Sequence, residues 1–423
     1  MTMSSSPAPP DDTDALHPRE RTLPVDTAIP LPRRTRVGIV GAGPAGLLLA
    51  RLLNGNGIDC VVLESRDRAY AEHRQRAGIL EQSTVDALRA SGAGERLDRE
   101  GIAHDGVELR FDGRSHRVDF PSLTGGSRVW VYAQTEVVKD LIALQLADGA
   151  PLLFEAEALS VEGVDTARPV IHYRHDGRVR TLECDYVVGC DGFHGVTRRS
   201  VPQGVLTSYE RTYPYAWLGI LADAPPVYDE LIYAHSSRGF ALASMRSPEV
   251  SRLYLQVPGG EDPAAWPDER IWDELDVRLA SAGSRKLERG PITARSVLPM
   301  RSQVTEPMSH GRVFLAGDAA HIVPPTGAKG LNLAAADVVV LARAFEHLER
   351  EGSSELLDAY SDTCLRRVWR AEHFSYFMTT TLHAHPDGSP FDNRLQLSQL
   401  HRIADSRHAA AEFAENYTGA FSG

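Results

Sequence analysis

Three glycines near the start of the chain have the spacing of a phosphate-binding turn. Gly41, Gly43 and Gly46 follow a short apolar run directly, and an apolar, helix-forming segment comes after them. The first glycine allows a tight turn, the second lets the backbone approach a pyrophosphate, and the third lets helix and strand pack closely. A second apolar run then ends in Glu64, whose carboxylate can accept hydrogen bonds from ribose hydroxyls. This strand–helix–strand unit with its acidic residue predicts dinucleotide binding.

Two further segments place polar residues after apolar runs. The segment 190–198, CDGFHGVTR, taken alone is an ordinary polar turn between a strand and a helix. In the segment 311–332, Asp318 ends a buried strand, where it can either cap a helix or hydrogen-bond a polyol such as ribitol. A Pro-Pro-Thr-Gly loop follows, which would expose backbone groups to a flat ring. The positive end of the helix after that loop could stabilise an anionic reduced isoalloxazine.

The elements that must position these residues follow from the apolar periodicity. Buried strands are expected at 37–40, 60–63, 185–190 and 313–316, and an alternating hairpin at 105–120 around Asp112-Gly113. Residues 208–257 are strand-rich. Helices are predicted at 47–53, 81–97, 135–146 with Thr135 as N-cap, 331–348 and 354–381.

The fold class predicted from this order is α/β with two lobes. A Rossmann-like nucleotide-binding domain is interrupted by a mostly antiparallel sheet and followed by C-terminal helices. The predicted division is a disordered tail 1–34, a nucleotide-binding domain 35–205, a mostly antiparallel sheet domain 206–295, a second part of the nucleotide-binding domain 296–350, and a helical region 351–423. The resemblance described below implies FAD for the first of these domains and the substrate for the sheet domain. A crevice between two lobes is a usual place for a small ligand.

Composition narrows the possible partners. The net charge is −12 (45 minus 57) without a basic tract, which argues against nucleic-acid or acidic-membrane binding. The four cysteines form no CxxC pair, so no metal site or disulfide framework is predicted and a reducing, cytoplasmic location is expected. No apolar run approaches 18 residues, and the proline-rich start lacks the apolar core of a secretory signal.

The three segments together resemble the fingerprints of the flavoprotein aromatic hydroxylases, the class A FAD monooxygenases. GAGPAG with Glu64, CDGFHG and GDAAHIVPPTGAKGLN carry the resemblance, which extends over residues 36–419. LIYAHSSRGFALASMRS and AENYTG are specific to the members that act on 4-hydroxybenzoate. The resemblance implies FAD as cofactor, a small aromatic acid and O2 as substrates, NADPH or NADH as co-substrate, and a homodimer. The implied reaction forms 3,4-dihydroxybenzoate through a flavin C4a-hydroperoxide.

The resemblance also assigns residues to the two ends of the substrate. Ser244, Arg246 and Tyr254 match a carboxylate clamp, for which a guanidinium supplies a forked donor. Tyr233 matches the partner of the phenol, Tyr417 its relay neighbour and His104 the outlet to solvent, and such a series can pass a proton. The remaining substrate-side matches are Trp217, Leu231, Leu242, Thr326 and Pro325, the last through its backbone carbonyl.

Cofactor positions follow from the same resemblance. The FAD-contacting matches are Gly41, Gly43, Gly46, Glu64, Arg76, Gln134, Arg252, Asp318, Leu331 and Asn332. The matches linked to the nicotinamide nucleotide are Arg74, His194, Arg198 and Arg301.

Two positions differ from the pattern of the family, and three alternative functions remain open. Ser65 stands where NADPH-using relatives often carry Arg, which leaves NADPH and NADH both open, and Leu253 replaces a frequent Tyr, which could loosen the site. A related ring such as 4-aminobenzoate would fit the same clamp. A flavin-binding redox sensor without turnover would need neither Tyr233 nor Arg246, and a nicotinamide dehydrogenase would not need Asp318 and its loop.

Overall fold

The apolar runs of the sequence become strands in a computed structural model that describes residues 31–73 and 78–420. The strands are β1 Arg34–Val40, β2 Cys60–Leu63, β3 Ile79–Glu81, β4 Ile102–His104, β5 Gly106–Phe111, β6 Arg114–Asp119, β7 Val129–Val131, β8 Leu152–Leu153, β9 Glu157–Glu162, β10 Val170–His175, β11 Arg178–Gly189, β12 Thr207–Ala222, β13 Leu231–Ala234, β14 Ala241–Ser247, β15 Val250–Pro258, β16 Ile292–Glu306, β17 Ser309–His310, β18 Val313–Leu315 and β19 His321–Ile322.

The helices are α1 Pro44–Gly55, α2 Arg68–His73, α3 Gln82–Ala90, α4 Glu95–Glu100, α5 Phe120–Thr124, α6 Gln134–Ala147, α7 Asp268–Arg278, α8 Gly330–Glu351, α9 Glu355–Asp358, α10 Tyr360–Leu382, α11 Pro390–Asp405 and α12 Arg407–Thr418. Although α8 and α10 have 22 and 23 residues, no helix in the described ranges is both long and apolar enough to cross a membrane.

The first sheet carries the nucleotide-binding motifs. Its main strand order is β17-β18-β11-β1-β2-β8, and the neighbours from β18 to β8 are all parallel. Strand β2 and the carboxyl-terminal parts of β1 and β11 are buried, and α1 packs against β1 and β2 and also contacts α6 and α8. Parallel strands place their carboxyl ends at one edge of the sheet. The turn after β1, the polar segment after β11 and the Asp318 segment after β18 therefore meet there, as backbone hydrogen bonds show: Gly41 N–H to Leu63 O (2.8 Å), Cys190 N–H to Val40 O (2.8 Å) and Ala316 N–H to Gly189 O (2.9 Å).

The second sheet is mostly antiparallel, with strand order β19-β16-β12-β15-β14-β13-β5-β6 and one parallel pair, β13 with β5. Successive side chains point to opposite faces of a strand. One face, with Leu253 and Leu255, packs on the buried side of α7. The other face, with Trp217 and Tyr233, packs against the C-terminal helices α10 and α12. A small third sheet has the order β3-β7-β4.

The predicted α/β class, the buried strands and the hairpin at Asp112-Gly113 are confirmed. Three local predictions were wrong. The helix at 81–97 is broken between α3 and α4, and the helix at 354–381 is divided into α9 and α10. Thr135 is not an N-cap, because α6 already begins at Gln134, its cap position is Ala133, and no side chain caps it.

The domain division stays a prediction. The second sheet is not confined to residues 206–295, because β5, β6 and the end of β16 also belong to it. Strand β1 begins at Arg34, the last residue of the predicted tail, and residues 1–30 of that tail lie outside the described residues.

Candidate active site

The glycine turn leaves open space where a phosphate would bind. A Cβ atom on Gly41 would lie 2.4 Å from Cys190 O, and one on Gly46 would lie 2.0 Å from Gly41 O, so both positions need glycine. A Cβ on Gly43 would meet no protein atom within 4 Å. Helix α1 starts there with no side-chain cap and no acidic residue in its first turn. Its free N–H groups therefore face a space that suits the pyrophosphate of FAD.

This geometry separates cofactor binding from protein packing. We expect Gly43→Ala to weaken FAD binding at least about tenfold, because the methyl group would occupy the space of close pyrophosphate approach. The thermal stability of the apoprotein should stay unchanged. Gly55→Ala is the matched control, since its Cβ also meets nothing within 4 Å but lies at the other end of α1. Titration of the two variant apoproteins with FAD measures their FAD affinities. Equal affinities would contradict the assignment of Gly43 to the pyrophosphate.

The three acidic residues at the sheet edge have different roles. The Glu64 carboxylate accepts hydrogen bonds from Ala42 N–H (2.8 Å) and Arg66 N–H (2.9 Å), which ties the glycine turn to the end of β2. Asp191 is buried and accepts from the backbone and hydroxyl of Thr197 (2.9 and 2.8 Å), so it shapes its own turn. Asp318 is exposed in the 3-10 turn Gly317–Ala319 and caps no helix, which leaves it suited to a polyol.

The Asn332 side chain is committed to the protein. Its oxygen accepts from Glu81 N–H (2.9 Å) and Thr84 Oγ1 (2.8 Å), and its nitrogen donates to Ile79 O (3.0 Å) and Ala328 O (2.9 Å). It therefore joins the start of α8 to β3 and α3. Its predicted neighbour Leu331 is half-buried.

A buried ion pair beside Asn332 was missed by the sequence analysis. Lys329 Nζ donates to Glu81 Oε1 (2.6 Å) and to the backbone oxygen of Tyr417 (2.8 Å). Burial lowers the pKa of Lys329, and Glu81 opposes that shift. The pair spans 248 positions, so no local pattern indicated it, although Lys329 lies within the third fingerprint.

A second missed pair holds the Asp318 turn. Asp337 Oδ2 accepts from Gly317 N–H (3.0 Å) and from His321 Nε2 (2.6 Å), and both side chains are 2% exposed. Burial opposes the protonation of His321, but Asp337 outweighs it, so the pKa of His321 is raised. Asp337 therefore favours the protonated form of His321 in the folded protein.

The stability that this pair contributes should depend on pH. A raised folded-state pKa stabilises the fold fully below the unfolded value of about 6.5, and the contribution is lost as pH rises through the folded pKa. Asp337→Asn, which can still accept from Gly317, should cost about 3 kcal/mol near pH 6 and clearly less near pH 9. Chemical denaturation of the apoproteins at the two pH values checks this. A penalty that stays constant would show that His321 is not protonated.

Two residues of the predicted proton relay, Tyr233 and Tyr417, are brought together from distant parts of the chain, whereas His104 is hydrogen-bonded to neither. The hydroxyl groups of Tyr233 on β13 and Tyr417 on α12 are 2.7 Å apart, and the two side chains are 1% and 2% exposed. Burial raises the pKa of both phenols well above their ordinary value. His104 is also buried, and neither ring nitrogen has a partner within the described part of the chain. Burial lowers the pKa of His104 to about 4, against the effect of nearby acidic groups, of which Glu230 is the strongest.

Ser244 and Tyr254 of the predicted carboxylate clamp lie on the same sheet face as Tyr233, and Arg246 follows at a register irregularity in β14. Tyr233 pairs with Leu242 on β14, and Leu242 pairs with Tyr254 on β15, so the three side chains form a row. Two strand spacings separate Tyr233 from Tyr254, about 10 Å, which is enough for one benzoate and its hydrogen bonds.

The clamp also concentrates positive charge. Burial lowers the pKa of Arg246, and the charge of Arg252 lowers it further, while Tyr254 opposes the shift. Arg252 Nε donates to Tyr254 Oη (3.2 Å), and Ser244 Oγ donates to Arg252 O (3.2 Å). Two neighbouring guanidinium groups out of water favour an anion such as a carboxylate.

Apolar side chains complete the pocket. Trp217, Leu231 and Leu242 belong to the same buried cluster as Tyr233, together with Phe240, which the sequence analysis missed. Phe240 stacks on Trp217 with ring centroids 5.2 Å apart. The prediction that Leu253 could loosen the site was wrong, because Leu253 lies on the opposite sheet face, in the cluster with α7.

The Pro-Pro-Thr-Gly loop forms the 3-10 turn Pro325–Gly327. The carbonyl of Pro325 accepts from Ala328 N–H (3.0 Å). Thr326 is fully buried and accepts from Thr379 Oγ1 (2.9 Å) on α10. The turn is therefore anchored to the helix that also covers the substrate face of the second sheet.

The predicted nicotinamide residues gather around one aromatic ring. Arg301 lies over the Phe193 ring at 3.6 Å, Arg198 at 5.0 Å, and His194 contacts it edge-on at 4.7 Å. Phe193 was not singled out from the sequence, although it sits inside the second fingerprint. Gln134 is the first residue of α6. Arg74 and Arg76 lie outside the described residues.

A parallel sheet with a phosphate-binding turn, joined to an antiparallel sheet that carries buried phenols and guanidinium groups, is the arrangement of a flavin-dependent enzyme that acts on aromatic compounds. Residues 34–375 match the FAD binding domain family. The chain is 47% identical over 386 residues to p-hydroxybenzoate hydroxylase of Acinetobacter baylyi, which covers 91% of this chain and 95% of that one. The chain thus belongs to the class A flavoprotein aromatic hydroxylases, and its cofactor is FAD.

Solved structures agree on the fold. The p-nitrophenol 4-monooxygenase of Pseudomonas putida DLL-E4 superposes with a TM-score of 0.77 at 19% identity, covering 91% of this chain and 99% of that one. A Diels-Alderase, PyrE3, of pyrroindomycin biosynthesis superposes with a TM-score of 0.72 at 22% identity, covering 92% and 81%. The fold therefore hosts more than one chemistry, and the site residues must decide the substrate.

Proposed function

We propose that this FAD-dependent aromatic monooxygenase hydroxylates 4-hydroxybenzoate at C3, giving 3,4-dihydroxybenzoate with O2 and NADPH or NADH. The observation that carries the proposal is the buried Tyr233–Tyr417 hydrogen bond, on the sheet face that also carries Ser244 and Tyr254 of the predicted clamp. The 47% identity to a p-hydroxybenzoate hydroxylase supports the same substrate.

The two ends of the substrate are held by different chemistry. Arg246 binds the carboxylate through charge-assisted hydrogen bonds, and Tyr254 is a further donor. Ser244 donates to the carboxylate when its hydroxyl turns away from Arg252 O. Tyr233 accepts the hydrogen bond of the substrate hydroxyl, and Pro325 offers its second carbonyl lone pair on the flavin side. FAD, when bound, accepts hydride from the reduced nicotinamide and supplies one oxygen atom from O2.

The two tyrosines transfer a proton while both remain neutral phenols before and after the transfer. Since burial raises the pKa of both phenols, neither is ionised at neutral pH. As Tyr233 takes the substrate proton it passes its own to Tyr417, and His104, which burial keeps neutral, is the acceptor toward solvent. The substrate becomes a phenolate, which enriches the carbon ortho to its oxygen. An electron-rich carbon at that position is what the transfer of an oxygen atom from the bound cofactor would need.

Product analysis tests the proposal. The purified holoenzyme is incubated with 4-hydroxybenzoate or 4-aminobenzoate, each with NADPH and with NADH, and the products are separated by chromatography. We expect 3,4-dihydroxybenzoate in near-stoichiometric amount with 4-hydroxybenzoate and at least one of the two nucleotides. If only 4-aminobenzoate is hydroxylated, the substrate is the amine and not 4-hydroxybenzoate. Absence of hydroxylated product in every arm would overturn the substrate class.

The choice between the two nucleotides depends on residues 65–70. Arg68 is paired with Glu72 (2.6 Å), and Arg66 lies over the Tyr70 ring at 5.3 Å. Guanidinium groups in this segment could bind a 2′-phosphate, so the NADPH and NADH arms both remain in the experiment. The homodimer that the family implies is a further proposal, which light scattering of the holoenzyme measures directly.

A further inference from the structure

The last turns of α10 connect the two sides of the site through a chain of hydrogen bonds that the proton relay does not use. Trp217 Nε1–H on the substrate sheet donates to His383 Nε2 (2.6 Å). His383 Nδ1 is 2.9 Å from Thr379 O, and Thr379 Oγ1 donates to Thr326 Oγ1 (2.9 Å) in the 3-10 turn. The backbone oxygen and the hydroxyl of Thr379 are joined by the covalent bonds of that residue, so the connection extends from the wall of the substrate pocket to the turn on the flavin side.

The direction of each bond follows from the donor groups. An indole nitrogen only donates, so His383 Nε2 must be the unprotonated acceptor. The imidazole proton therefore sits on Nδ1, where it donates to Thr379 O. Burial lowers the pKa of His383 to about 3, which keeps the ring neutral and this tautomer in place at working pH.

The imidazole is also fixed in position. Its ring lies 4.8 Å from that of Tyr215 at an interplanar angle of 8°, and 4.4 Å from Phe240. The backbone at the helix end is anchored by three side chains. His235 lies 3.1 Å from Leu382 O, Gln256 donates to Ala384 O (2.6 Å), and Gln396 donates to His383 O (2.7 Å).

We propose that His383 is a positioning residue that holds the Trp217 indole at a fixed distance from the Pro325–Gly327 turn. The inference rests on the proposed function, because Trp217 matters as the wall of the ring slot: its ring is 4.8 Å from that of Tyr254 and 5.2 Å from that of Phe240. The hydrogen-bond chain sets the width of the slot between the substrate sheet and the flavin-side turn. Its loss weakens substrate binding and lets reduced nicotinamide be oxidised without product formation.

Two substitutions separate the hydrogen bond from the stacking. His383→Phe keeps a flat ring but has no acceptor for the indole, whereas His383→Gln keeps an acceptor oxygen but loses the ring. We expect His383→Phe to weaken 4-hydroxybenzoate binding about tenfold and to lower the product formed per nicotinamide oxidised, because a buried donor loses its partner. His383→Gln should stay within about threefold of the parent. The reverse order, or two variants that match the parent, would overturn the proposal.

A second measurement does not depend on turnover. The chain has five tryptophans, so a nitrogen-15 spectrum of the holoenzyme shows five indole N–H signals, and Trp217→Phe identifies the signal of Trp217. His383→Phe should shift that signal and increase its hydrogen exchange, and His383→Gln should leave it near its parent position. An unshifted, protected signal in His383→Phe would show that the indole does not depend on His383.

Thr379→Val tests the other end of the chain. It removes the hydroxyl that reaches Thr326 while keeping the backbone carbonyl that holds His383. We expect an unshifted indole signal with lowered product per nicotinamide, and a combined His383→Phe and Thr379→Val variant no worse than the poorer single variant. Additive losses would contradict a single connected chain.

Failure of this inference is distinguishable from failure of the proposed function. If the parent enzyme hydroxylates 4-hydroxybenzoate but the variants rank otherwise, only the role of His383 is wrong. If the parent does not bind 4-hydroxybenzoate, the proposed substrate is wrong, and the indole spectrum still decides whether His383 holds Trp217. Should His383→Phe fail to fold, the Trp217 signal of the parent enzyme carries the test, since an indole N–H that exchanges rapidly with solvent is not held by a buried acceptor.

Discussion

Arg246→Ala is expected to raise the dissociation constant of 4-hydroxybenzoate about 100-fold, while FAD stays bound. Truncating one partner of a buried charge pair costs on the order of 3 kcal/mol, because the substrate carboxylate would be left buried without its counter-charge. The loss is measured by titrating the holoenzyme and following the flavin absorbance. Arg246→Lys should fall between parent and alanine variant, since an ammonium keeps the charge but not the fork.

The control for this prediction is an arginine near the same strand that cannot reach the pocket. Arg238 precedes β14 in an exposed ion pair with Glu274. Arg238→Ala should leave the substrate dissociation constant within about twofold of the parent, because exposed ion pairs contribute little. If Arg246→Ala and Arg238→Ala bind 4-hydroxybenzoate equally well, the carboxylate is held elsewhere.

Tyr233→Phe is expected to lower the rate of hydroxylation about 100-fold or more while reduced nicotinamide is still oxidised. The substitution removes one oxygen and keeps the ring, so it interrupts proton transfer to Tyr417 without opening the pocket. Positioned proton transfer contributes on the order of 10² to 10⁴ in rate. Dihydroxybenzoate and nicotinamide oxidation are measured in the same reaction.

Tyr213→Phe is the matched control for the relay. Tyr213 is a buried phenol of the same apolar cluster, but its hydroxyl bonds Ser302 (3.2 Å) rather than another tyrosine. Its loss should leave hydroxylation per nicotinamide unchanged. If Tyr233→Phe hydroxylates the substrate as well as the parent does, the assignment of the proton relay is wrong. If Tyr213→Phe has an equal defect, the effect is one of general packing.

The nucleotide-binding half was predictable because its signals are local. Gly41, Gly43, Gly46 and Glu64 lie within one strand–helix–strand unit, so spacing alone indicated their roles. The structure also brings the segments of Asp191 and Asp318 to the same sheet edge, as parallel strands require. The roles of individual residues within that edge were not evident, since Asp191 and Asn332 turned out to bind the protein itself.

The substrate half depended on the family resemblance, because its contacts join distant parts of the chain. Tyr233 and Tyr417 are 184 positions apart, and no periodicity links a strand to the final helix. The same reason explains why Trp217 and His383, 166 positions apart, escaped notice.

One error was avoidable from the sequence alone. Residues alternate between the two faces of β15, so Leu253 had to point away from Arg252 and Tyr254. The structure places it on the face that packs against α7.

The break between α3 and α4 also had a signal in the sequence. Gly92 separates the two apolar stretches there, and in the structure it has a positive φ of 87°.

The most direct test of the central claim is a crystal structure of the holoenzyme with 4-hydroxybenzoate bound. We predict one ring between β13 and β15, with its carboxylate in a bidentate contact with Arg246 and its hydroxyl within hydrogen-bond distance of Tyr233 Oη. A ring bound elsewhere, or one whose hydroxyl points away from Tyr233 while its carboxylate is held by another residue, would contradict the account.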